Sequence, residues 1–162
     1  MGHPARLSPD ASPGVHYVLV TICTCDRQPH FTDADVVDLI CTQFLQCCEE
    51  WAFEVVAYCF MPDHLHALLT GFCDDGVAAD LLRNVKQRTS FHFRRAYGRR
   101  LWQRSYFDRT LRAAEDVRTA IGYVVSNPVR AGLVVSPSEY PYWGSDVYSR
   151  AEIVEFLQLG PT

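Results

Sequence analysis

Two short apolar runs separated by Pro62-Asp63 constrain this chain most. Glu54 to Met61 (EVVAYCFM) and His64 to Thr70 (HLHALLT) have strand length and β-forming composition, and Pro-Asp suits a tight turn. A lone hairpin is not stable in water, so the flanking segments must supply its partners. His16 to Cys25 (HYVLVTICTC) is β-branched and apolar, which predicts a buried strand. Thr32-Asp33 offers a helix start, and Val36, Val37, Ile40, Phe44, Leu45 and Cys48 recur at helical spacing up to Trp51. A second helix runs from Val77 to about Tyr97 on the apolar row Leu82, Val85, Thr89, Phe93, Tyr97, and Gly98 stops it. Leu101 to Leu111 reads as a loop and a fourth strand. Glu115-Asp116 open a last long helix with the stripe Val117, Ile121, Val124, closed at Asn127-Pro128. This order predicts an α/β (α+β) ferredoxin-like sandwich, an antiparallel sheet with helices on one face and an added C-terminal helix.

The expected organisation is a disordered lead-in over 1–15, one domain over 16–148, and a tail over 149–162 that holds a short helix, Ala151 to Leu159. With 162 residues, 48% of them hydrophobic, the chain can build one ordinary core. No apolar run approaches the ~20 residues of a membrane span, and the polar, Pro-rich start is no secretory signal. The seven cysteines are odd in number and contain no CxxC pair, which disfavours a zinc ribbon and fits buried thiols in a reducing cytoplasm.

Net charge is −4, yet its distribution is lopsided. Residues 1–82 sum to −10, residues 83–130 to +9 and residues 131–162 to −3. Eight basic residues and no acid lie between Arg83 and Arg104. That is the footprint of a polyanion-binding face on an acidic body; the plainer reading is a solvated helix face. Single strands are bound by a positive groove with aromatic platforms. Arg83, Lys86, Arg94 and Arg104 are candidate groove residues, joined by Arg88, Arg95, Arg99 and Arg100; Trp102, Tyr106 and Phe107 are candidate platforms.

His64-Leu65-His66 puts two imidazoles on one strand face and Leu65 on the other. Two imidazoles so spaced can share one divalent cation, or can simply be strand histidines. On the last helix, Asp116, Thr119, Tyr123 and Asn127 form a row beside the core stripe, so Tyr123 points off the core. A phenol ionises near pH ~10 and becomes a usable nucleophile only beside a base or cation.

Phe60-Met61-Pro62-Asp63-His64-Leu65-His66, the run Tyr123 to Val134 (YVVSNPVRAGLV), Leu101 to Arg109 (LWQRSYFDR) and Lys86 to Ser90 (KQRTS) together resemble the REP-associated tyrosine transposases, which are single-tyrosine HUH endonucleases. The resemblance spans roughly His16 to Tyr148. It implies that His64 and His66 are metal ligands, that Tyr123 is the nucleophile on a catalytic C-terminal helix, and that Asn127 supplies a third ligand. Asn127 also precedes proline, which makes it a candidate helix cap. The implied cofactor is Mg²⁺ or Mn²⁺, and the implied reaction cleaves single-stranded hairpin DNA through a 5′-phosphotyrosine and allows strand transfer. The implied protein is cytoplasmic, monomeric or homodimeric, with no membrane partner. A non-catalytic hairpin-DNA-binding protein and a small metalloenzyme on another substrate are the competing classes.

Overall fold

The computed structural model describes residues 15–72, 75–111 and 117–158. Residues 1–14 of the lead-in expected over 1–15, the helix start at Glu115-Asp116 and Cys73 lie outside them, while Val15 already belongs to the first strand. The strands are β1 (Val15–Cys23), β2 (Glu54–Met61), β3 (His64–Phe72), β4 (Phe107–Thr110) and β5 (Trp143–Gly144). They form one antiparallel sheet in the order β4-β1-β3-β2-β5. The central hairpin turns at Pro62-Asp63, with Met61 opposite His64. The helices are α1 (Ala34–Glu50), α2 (Asp75–Tyr97), α3 (Val117–Val125), α4 (Asn127–Arg130) and α5 (Arg150–Gln158).

Period-two alternation sorts the sheet into two cores. Val18, Val20 and Ile22 of β1, with Leu65, Ala67 and Leu69 of β3, face α1 and α2. The opposite face carries Ala57, Cys59, Met61 and Leu68 against Val117, Ile121 and Val124 of α3 and Ile153 of α5. So α1 and α2 share one face, as expected, and the C-terminal helices cover part of the other. Asp33 caps α1 by accepting the Asp35 amide, and Gly98 ends α2 at φ 68° with its amide on the Arg94 carbonyl.

Two features depart from the sequence reading. The last long helix ends at Val125, and Asn127–Arg130 starts a separate turn, because Pro128 is tolerated only in a first turn. The short strand β5 lies in a Pro- and Tyr-rich stretch with no strand pattern; the Tyr140 hydroxyl on the Phe60 carbonyl, 2.6 Å, anchors that stretch to the sheet. The terminal helix packs in cis through buried Ile153.

Candidate active site

Strand alternation carries the site. Because Leu65 is locked into the α1/α2 core, His64 and His66 must face the other way. Their Nε2 atoms lie 3.1 Å apart, with the rings nearly perpendicular. Each Nδ1 has a different partner: Asp63 Oδ1 at 2.6 Å for His64 and Thr21 Oγ1 at 2.8 Å for His66. Arg27 Nε donates to Asp63 Oδ2 at 2.9 Å, and its Nη1 to Cys23 Sγ. Asp26 and Arg27 both sit at left-handed φ, 54° and 55°, so the chain holds this guanidinium in place at a backbone cost.

His66 is 6% exposed. Burial first, then the neighbouring His64, Arg130 and Arg27, push its imidazole down to about 4, leaving it neutral near pH 7. Burial pulls the Asp63 carboxyl up, but His64 and Arg27 outweigh it and hold the group below its ordinary range. Asp63 is therefore a stable acceptor for a His64 Nδ1–H. With both Nδ1 atoms so engaged, the two Nε2 atoms are turned toward each other.

Tyr123 is 43% exposed at the edge of α3, its ring edge-on to His66 with centroids 5.6 Å apart. The Arg130 guanidinium lies over that ring at 4.3 Å and donates to the Tyr123 carbonyl and to Asn127 Oδ1. Asn127 Nδ2 donates back to the Tyr123 carbonyl at 3.1 Å. The cap anticipated for Asn127 is thus present, and in this conformation its oxygen is held by Arg130. Among the described residues no third His, Cys, Asp or Glu stands with the two histidines as a further metal donor.

The basic segment is less uniform than its sequence. Arg83 pairs with Asp80, one turn earlier on α2, at 2.6 Å, and Arg88 forms a two-pronged pair with Glu50 of α1, so part of the counter-charge lies just before the segment and part on another helix. Lys86, expected to line the groove as a phosphate contact, instead donates to the carbonyls of Gln103, Arg104 and Ser105. It pins the loop before β4. Trp102 is corrected outright: it is 3% exposed, donates to Thr89 Oγ1 at 2.7 Å and tilts against Phe31, so it offers no face to a base. Tyr106 packs partly on the same core. A groove of about 450 Å³ lies between α2 and residues 100–104, lined by Phe91, Arg94, Arg100 and Arg104, with Lys86 and the edge of Trp102 at its wall.

Sequence reasoning did not single out Thr21, Arg27 or Arg130, and read Asp63 only as a turn residue. Thr21 is tied to His66 by strand register, and Arg27 by a left-handed turn, so neither carries a local signal.

The chain from 13 to 127 matches the family model described as "Transposase IS200 like". A Haemophilus influenzae protein named as a REP-associated tyrosine transposase is 29% identical over 144 residues, 82% of this chain and 81% of that one. An Escherichia coli K12 REP-associated tyrosine transposase is 29% identical over 91 residues, 56% of this chain and 53% of that one. The solved structure of a REP-associated tyrosine transposase bound to a REP hairpin superposes with TM-score 0.66 at 22% identity, covering 79% of this chain and 75% of that chain. That likeness shows the same fold.

Proposed function

Because the chain belongs to the IS200-like transposase family, we propose that it cleaves and rejoins single-stranded hairpin DNA of the repeated extragenic palindromic kind, with Tyr123 as nucleophile. The observation that carries this reading is the meeting of Tyr123 with the His64–His66 pair, side chains from two distant segments brought ring to ring.

The donor set fits a divalent cation: cis ligands about 2.1 Å from an octahedral ion lie about 3 Å apart, as the two Nε2 atoms do. His64 and His66 would hold Mg²⁺ or Mn²⁺, which when bound polarises the scissile phosphate as a Lewis acid. Asn127 can add a third donor if its oxygen leaves Arg130. Tyr123 Oη attacks phosphorus as the bond to the 3′-oxygen breaks. The phenolic proton passes to solvent and the departing 3′-oxygen takes one up, leaving a 5′-phosphotyrosine and a free 3′-hydroxyl. Arg130, against the Tyr123 ring, sets positive charge where the phosphate arrives. The phosphotyrosyl bond conserves the phosphodiester energy, so another 3′-hydroxyl can reverse the step and join strands.

The test is incubation with labelled hairpin DNA and Mg²⁺ followed by a denaturing gel. Wild type should form a denaturation-resistant adduct; Tyr123→Phe should lose it while retaining hairpin affinity. An adduct persisting in Tyr123→Phe refutes the assignment. Hairpin binding with no adduct in wild type favours a non-catalytic binder, and neither result favours a metalloenzyme on another substrate.

A further inference from the structure

We infer that Phe107 is a stacking platform for an unpaired nucleobase next to the scissile phosphate, an inference that rests on the hairpin-cleaving reading above. It follows from sheet register. In antiparallel pairing, directly opposed residues project from the same face. Phe107 of β4 stands opposite Thr21 of β1, and Thr21 stands opposite His66 of β3. The Thr21–His66 hydrogen bond fixes which face this is: the one that carries α3 and Tyr123. Phe107, Thr21 and His66 therefore form one row across three adjacent strands. At about 4.8 Å per strand, Phe107 stands about 10 Å from His66, within reach of a base joined to a phosphate held there.

The row is covered at one end and open at the other. α3 packs mainly over β2 and β3. Tyr17, Leu19 and Leu111 extend that core along β1, and among the described residues Phe107, opposite Thr21, is not part of it. There Phe107 is 68% exposed, and among the described residues no aromatic ring stacks on it. A phenyl ring left in water, in one row with His66, contributes little to the core. The other two aromatics of its segment, Trp102 and Tyr106, point into the α1/α2 core, so the segment sends a single ring to the Tyr123 face. A π-face without hydrogen-bonding groups accepts any base, which suits an unpaired flank more than a sequence-read duplex.

The experiment uses the full chain with two probes: a blunt hairpin oligodeoxynucleotide, and the same hairpin carrying a short randomised single-stranded flank that contains a fluorescent purine analogue. Loss of one stacked base should weaken Phe107→Leu on the flanked hairpin roughly tenfold to a hundredfold and abolish quenching of the analogue, with blunt-hairpin affinity unchanged. Phe107→Trp should restore both affinity and quenching. Wild-type affinity and quenching in Phe107→Leu overturn the inference alone, as does equal weakening on both probes. Wild-type protein that binds neither probe overturns the hairpin reading itself, and this inference with it.

Discussion

Thr21 and His66 face each other across the two central strands, and the 2.8 Å hydrogen bond between Thr21 Oγ1 and His66 Nδ1 sets the orientation of a buried, neutral imidazole. Thr21→Val keeps the side chain's shape and β-branching but removes the hydroxyl. We expect Mn²⁺ affinity to fall about 10- to 100-fold, as for other partners of metal-binding histidines, at a stability cost of about 1 kcal/mol. Calorimetric Mn²⁺ titration checks it; unchanged affinity would show that Thr21 does not position the ring.

The groove between α2 and residues 100–104 leaves Arg94 and Arg104 exposed, and among the described residues neither has an acidic partner such as those that occupy Arg83 and Arg88. Replacing both with Gln should weaken hairpin binding and flatten its log–log salt dependence by about 0.7 for each single-strand phosphate that is no longer neutralised. Lys86→Met should instead lower the melting temperature, because it frees the loop that Lys86 clamps. Superimposable salt series for wild type and the Arg94/Arg104 variant would place the DNA elsewhere.

Asp146 tests electrostatics away from the site. Burial, opposed by the Val55 amide and reinforced by Glu54 and Glu49, pushes its carboxyl up from 3.8 to about 6. The folded state thus holds a proton that the unfolded chain releases, so this contribution is full below the unfolded value and is lost as pH rises through about 6. Asp146→Asn preserves an acceptor for the Val55 amide, which bonds Oδ1 at 2.8 Å. The variant should melt with wild type near pH ~4 and gain about 1 kcal/mol by pH ~8, a figure reduced for partial solvation. A gap that shrinks with rising pH would contradict the sign.

Trp102→Phe deletes the indole donor to Thr89 within a packed core. We expect a loss of about 1–3 kcal/mol in urea denaturation with hairpin affinity unchanged under native conditions. Weakened binding at full stability would return Trp102 to the binding surface.

Each element that could be read locally was legible. The Pro62-Asp63 hairpin, the stripes of the three long helices and the Gly98 stop follow from turn chemistry and periodicity, which neighbouring residues determine. The orientation of His64 and His66 was legible for the same reason, since alternation needs only one side of a strand to be apolar. Charge sign was legible too, but charge pairing was not: Glu50 reaches Arg88 across 38 positions of sequence. Cysteine count said little, because the six cysteines of the described residues are free thiols. Burial, only partly offset by Arg150, pushes the Cys59 thiol up to about 12 and leaves that group inert.

By itself, then, the sequence determined the elements, the two faces of β3 and the residue types available for chemistry, because these depend on backbone preference and on spacing along one segment. Tertiary structure alone decided which of those residues meet. Register placed Thr21 beside His66 and Phe107 in the same row; packing sent Trp102 inward and brought Arg130 over Tyr123. The strand pairings join segments tens of residues apart, Thr21 and His66 being 45 positions distant, while Arg130 reaches Tyr123 across the break between α3 and α4. Both gain their energy only once the cores have closed on the sheet.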